Sequence, residues 1–138
     1  MKPPEEVARD LARQWLKKAA SELLVCEQLT RPEGAFSKTV AFHAQQAAEK
    51  SLKALLVWRQ MESPKTHDLE RLLELAGDGD EALAEPLRDA PELTPYGVEY
   101  RYPGEYPPVT REAAVLSMAI ARRVYDEVVE RLPEGVRL

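Results

Sequence analysis

His43 and His67 are the only histidines in the chain, and histidine is the side chain that exchanges a proton most readily near neutral pH. His67 stands in Thr66-His67-Asp68-Leu69, just after Ser63-Pro64, and becomes a general acid or base if the fold brings Arg101 or Arg122 beside it. The plainer reading makes His67 a helix-start residue that hydrogen-bonds a loop. His43 belongs to a different pattern. His43, Gln46, Lys50 and Lys53 are spaced by three, four and three residues, which puts them on one narrow strip of a helix. Three readings of that strip stay open: a solvated face with Glu49 and Lys53 as an i to i+4 ion pair, an interface with a partner chain, or a phosphate-contacting surface. Lys50 and Lys53 serve either of the last two.

Other chemistries find no support in the residue types. With two histidines, one cysteine and no His-x-x-His or Cys-x-x-Cys spacing, no metal site is expected, and no cofactor either. The six glycines are scattered and fit no phosphate loop, so a nucleotide would have to be held by side chains. No serine or cysteine comes with a base and an orienting group.

These residues need helices to carry them. At about 3.6 residues per turn, Val40, Ala44, Ala47, Ala48, Ser51, Leu52, Ala54, Leu55 and Trp58 share one side, the stripe of a buried bundle helix over residues 37–60. Its small residues admit a close neighbour. Phe42, Leu56 and Val57 interrupt the opposite, polar side, so this helix is expected to have two partners, one of them a second copy of the chain.

Upstream, Pro3, Pro4, Glu5 and Glu6 suit a helix start, and Val7, Leu11, Trp15, Ala19, Leu23 and Cys26 carry the helical period to about residue 29, where Thr30-Arg31-Pro32-Glu33-Gly34 breaks it. Downstream, Thr66 is the candidate N-cap of a short helix with Asp68 in its first turn, and Gly77-Asp78-Gly79-Asp80 ends it. Residues 81–89 read as another short helix stopped by Pro91. Residues 91–109 hold five prolines and four tyrosines in a connection too long for an ordinary bundle loop, either a packed lid or a base-stacking platform. Thr110 caps a last helix that runs to Pro133. Strand patterning is absent. The expected fold is all-α: an antiparallel up-and-down bundle of three long and two short helices, one domain over residues 1–138.

That length suffices to bury roughly two-thirds of the unfolded surface without disulfides or metals. Cys26 lies inside an apolar helical pattern and reads as a small core residue of a reduced protein. No apolar run approaches membrane-spanning length and the first residues do not read as a signal peptide, so a soluble cytoplasmic protein is expected. A net charge of -5 disfavours tight sequence-independent nucleic-acid binding, leaving room only for a local basic patch.

The run from Phe42 to Leu56, followed by Thr66-His67-Asp68-Leu69 and by Tyr100-Arg101-Tyr102-Pro103, resembles the HEPN family over about residues 5 to 132. The resemblance implies an all-helical bundle that commonly dimerises and is often encoded beside a minimal nucleotidyltransferase, with which it forms a two-protein module. Some branches are metal-independent ribonucleases of toxin-antitoxin type, marked by an arginine followed four to six residues later by a histidine. This sequence departs from that signature: no histidine follows Arg101, and Arg59 precedes His67 by eight positions. Two functions follow as expectations. One is a non-catalytic or weakly catalytic module that dimerises, partners a minimal nucleotidyltransferase and binds a nucleotide, through a surface of His43, Gln46, Lys50, Lys53, His67, Asp68, Arg101 and Tyr102. The other is a ribonuclease with Arg101 and His67 as its catalytic pair.

Overall fold

The computed structural model describes residues 2–137. Among them there are helices and no strands. Three are long: α1 (Pro4–Leu29), α2 (Ser37–Trp58) and, at the far end of the chain, α6 (Arg111–Glu130). Between α2 and α6 lie α3 (Leu69–Gly77) and two single-turn helices, α4 (Glu81–Ala84) and α5 (Thr94–Gly97), with 3-10 turns at Ala90–Leu93 and Glu99–Arg101. The expected helical bundle is found.

Helix α2 is the axis, with α1 and α6 packed against it and α1 touching α6 only briefly. The reason is in the side chains. α1 turns Ala8, Ala12, Leu16, Ala19, Leu23 and Cys26 inward, and α2 buries Val40, Ala44, Ala47, Ala48, Leu52 and Leu55 in the same core, all essentially inaccessible to water. Alanines on both sides let the helix axes approach closely, while the leucines fill the volume between them. Of the residues expected to carry the period of α1, Ala19, Leu23 and Cys26 are buried, whereas Val7 and Leu11 are 42% and 43% exposed, with Ala8, Ala12 and Leu16 buried beside them.

Helix ends follow local chemistry. Pro4 opens α1, where its missing N–H costs nothing, and Thr110 Oγ1 accepts from Ala113 N at 3.0 Å at the start of α6, as expected. The cap of α3 is Asp68, not Thr66: Asp68 Oδ1 accepts from Glu70 N at 3.0 Å, and Thr66 Oγ1 instead accepts from Asp68 N at 3.1 Å. Two nearby polar residues competed for this role, and the helix begins two residues later than the pattern suggested. α2 closes in a Schellman motif in which Met61 N bonds Leu56 O and Gln60 N bonds Val57 O, with Gln60 at φ 57°.

The segment expected as a helix over residues 81–89 stops after one turn, because Pro86 has no N–H to continue the ladder. Its start is tied down by Asp80, which accepts from Leu83 N at 3.1 Å and pairs with Arg59 at 3.1 Å and Arg131 at 2.9 Å, joining the C-terminal ends of α2 and α6. The proline-tyrosine segment is partly ordered into short turns. Within it Tyr96, Tyr100 and Tyr106 stack at centroid separations of 5.1 and 5.0 Å, with Tyr96 packed on the core.

Candidate functional site

α2 carries a second stripe that hydropathy does not show. Gln45, Glu49 and Lys53 recur at i, i+4 and i+8 and are all buried, at 0%, 3% and 8% exposure. Three polar side chains in the interior of a bundle need partners, and they find them in one another and in the segment before α3. Glu49 is the hub. Its Oε2 accepts from Lys53 Nζ at 3.0 Å, and its Oε1 lies 2.7 Å from His67 Nδ1 and 3.2 Å from Gln45 Nε2. Gln45 Nε2 also donates to the His67 backbone oxygen at 3.2 Å, so the loop before α3 is held at two points. Gln46 extends the network by donating to Gln45 Oε1 at 2.7 Å.

Gly97 of α5 sits directly over the Gln45 amide. A Cβ there would lie 2.3 to 2.8 Å from three Gln45 side-chain atoms, so only glycine permits this approach. The proline-tyrosine segment thus helps to seal the polar stripe.

The other half of the sequence strip belongs to a separate cluster. His43 Nδ1 and Lys50 Nζ, the latter at 2.7 Å, both bind the carboxylate of Glu22 on α1. Burial of Glu22 works against its ionisation, but the Lys50 ammonium and His43 outweigh that and hold its pKa below the usual carboxylate value. The side chains of His43, Lys50 and Lys53 are 25%, 18% and 10% exposed, so the solvated reading of the strip is overturned. The second partner expected for α2 is, along this strip, the chain's own α1. The Glu49–Lys53 pair exists as anticipated, but in the interior.

Three site residues remain. Asp68 is exposed and serves as the α3 cap. Tyr102 is 61% exposed. The Arg101 backbone closes the second 3-10 turn, and its side chain lies outside the described residues.

Sequence reasoning missed Gln45 and Glu22 as network members, and placed Glu49 only in its pair with Lys53. Gln45-Glu49-Lys53 does have an i, i+4, i+8 spacing, which was the available signal, but Lys53 fits the His43 strip equally well. Nothing in the sequence pairs Glu22 with α2.

Chemically, the Glu49–His67 contact is a carboxylate-oriented imidazole. His67 is 49% exposed and lines a cleft of about 420 Å³ together with Trp15, Lys53, Ser63, Pro64, Lys65 and Thr66. Lys53 Nζ lies 5.5 Å from the Trp15 ring centroid, a cation-π distance. Among the described residues no three His, Cys, Asp or Glu side chains come together as a metal site would require. Cys26 donates to Val40 O at 3.4 Å, and burial pushes its thiol pKa up to about 12, so it is a packing residue rather than a nucleophile.

Compared with known families, the chain matches the model of the HEPN domain over residues 12–132. No curated protein and no solved structure matches it.

Proposed function

Since the chain belongs to the HEPN domain family, we propose that it works as a non-catalytic helical module that pairs with a second copy of itself and acts beside a minimal nucleotidyltransferase. The observation that carries the pairing is an apolar groove between α1 and α6. It has a volume of about 420 Å³ and is walled by Leu23, Val115, Met118 and Ala119. Within the groove Val115 is 40% exposed. An exposed apolar groove marks a protein contact more often than a solvated surface.

Charge favours a second copy as the occupant. Glu27 on the α1 wall and Arg111 on the α6 wall make no ion pair among the described residues. A twofold axis through the groove sets the acidic wall of one copy against the basic wall of the other, the self-complementarity that an isologous contact requires.

The nucleotidyltransferase partnership rests on the family resemblance. Co-expressing the chain with a nucleotidyltransferase from the adjacent reading frame and purifying through a tag on one partner tests it: the expected result is stoichiometric recovery of both, and recovery of the tagged partner alone contradicts it.

A second reading is favoured by one observation, the Glu49–His67 contact at the mouth of a cleft. In it the chain is a metal-independent ribonuclease, with His67 as the base and Arg101 as the cation that stabilises the charge on phosphorus. Incubation of the chain with mixed RNA in EDTA separates the two readings. The module reading expects intact RNA; cleavage that His67→Ala abolishes supports the ribonuclease.

A further inference from the structure

We propose that the groove between the N-terminal half of α1 and the C-terminal end of α2 receives a basic amphipathic helix from a partner protein, its apolar side set on Val7, Leu11, Val57 and Met61 and its lysine or arginine side chains facing Glu6 and Glu62. This groove shares no lining residue with the one between α1 and α6. It has a volume of about 570 Å³, and its apolar lining is Val7, Ala8 and Leu11 from α1, Val57 from α2 and Met61 from the turn that follows. Ala8 is buried, whereas Val7 and Leu11, one helical turn apart, are 42% and 43% exposed. Two aliphatic side chains at that spacing form the kind of ridge against which a second helix packs.

The placement of methionine points to a protein as the occupant. Methionine fills core gaps well, and its unbranched, polarisable side chain is also over-used on surfaces that bind other proteins. Here leucine, alanine and valine fill the core, and no described methionine is buried. Met61 lines this groove and Met118 lines the one between α1 and α6. The backbone of Met61 is fixed by its N–H on Leu56 O at 2.9 Å, so the side chain adapts to a partner from a rigid base.

Charge selects the partner. Lys2 lines the groove and binds Asp10 at 2.8 Å; the hydrogen bond and charge of Asp10, with Glu6 adding to them, raise its pKa. Glu62 lines the groove as well, and neither Glu6 nor Glu62 makes an ion pair or a side-chain hydrogen bond among the described residues. One lysine therefore stands against three carboxylates, two of them unpaired. A second copy seated here would bring like charges together, whereas the α1–α6 groove carries both signs on its walls. An anionic lipid surface or a nucleic acid meets the same repulsion. A helix with apolar residues at i, i+3, i+4 and i+7 and basic residues beside them satisfies the surface and the charge together.

Synthetic peptides of about 18 residues, long enough to form a helix, serve as probes. One is built of leucine, alanine and lysine with a single apolar face, the second has glutamate for each lysine, and the third scrambles the first so that no face remains. Each is titrated into the full chain carrying methyl-labelled methionine, in which the NMR signal of Met61 reports this groove and that of Met118 the α1–α6 groove. Loss of one signal in Met61→Leu assigns it. The lysine peptide is expected to shift the Met61 methyl saturably, and the other two to bind about tenfold more weakly or not at all. Leu11→Lys and Glu62→Lys, both at exposed residues, are expected to keep the parent melting temperature and to weaken the lysine peptide by about fivefold or more. The proposal is overturned if Met61 shows no saturable shift at millimolar peptide, if Met118 takes the shift in its place, or if the glutamate or scrambled peptide binds as tightly as the lysine peptide. It is equally overturned if both variants bind like the parent, or if the Met61 signal moves on concentrating the chain alone or on adding anionic phospholipid vesicles, which would make a second copy or a lipid surface the occupant.

Discussion

Lys53→Met isolates the charge of a buried ion pair, because methionine keeps most of the aliphatic stem against Trp15 and removes only the ammonium. In the parent, Lys53 and Glu49 are 10% and 4% exposed and 3.0 Å apart. Removing one partner of such a pair leaves an uncompensated charge in the interior, which costs about 3 to 5 kcal/mol. Glu49 retains Gln45 Nε2 at 3.2 Å and His67 Nδ1 at 2.7 Å, so the lower end of that range is expected. Against a total stability of about 5 to 15 kcal/mol this is a large loss. Urea unfolding followed by circular dichroism measures it. Adding Glu49→Gln removes the stranded carboxylate, and the double variant should recover about 1 to 3 kcal/mol of the loss. A Lys53→Met change within about 0.5 kcal/mol of the parent, the size of an ordinary surface substitution, would refute the buried network.

Three further outcomes follow from the same packing. Gly97→Ala drives a Cβ into the Gln45 amide at 2.3 Å and should destabilise by about 1 to 3 kcal/mol in the same assay, with the largest shifts in the NMR signals of Gln45 and His67. Gln60→Gly should stabilise by about 0.5 to 1 kcal/mol, because Gln60 occupies the left-handed position of the α2 Schellman motif at φ 57° and a glycine there carries no steric cost. Glu22 has a pKa below its ordinary 4.5 in the folded chain, so its contribution is fully present above about pH 4.5 and is lost as pH falls through the lowered folded value. Unfolding free energies of the parent should therefore drop more steeply below pH 4.5 than those of Glu22→Gln, and parallel curves would show that the Lys50 and His43 contacts contribute nothing.

The bundle was legible because its signals are local. Proline and acidic residues open α1, Thr110 opens α6, and the alanine-leucine stripe of α2 marks the core face by period alone. Errors arose where two local rules competed. Thr66 and Asp68 are both good caps, and only the structure shows Thr66 holding the Asp68 amide while Asp68 holds Glu70. Val7 and Ala8 both continue a helical period, and the choice between them depends on how closely α2 approaches.

The site was less legible for a different reason. Its polar residues are buried by long-range partners: Glu22 comes from α1, His67 from the segment before α3, and Gly97 from α5. Periodicity reports which residues share a face of one helix, and it is silent on which element covers that face. Lys50 and Lys53, three residues apart, consequently ended in two networks, one under Glu22 and one under Glu49.

The central claim, that this HEPN module pairs with a second copy through the α1–α6 groove, is tested most directly by multi-angle light scattering on the purified chain and on Val115→Glu, at micromolar concentration. Val115 lines the groove and is 40% exposed, so the glutamate disturbs the groove without entering the core. Twice the 15.6 kDa chain mass is expected for the parent and the single-chain mass for the variant. A single-chain mass for the parent, or a dimer that Val115→Glu leaves intact, would contradict it.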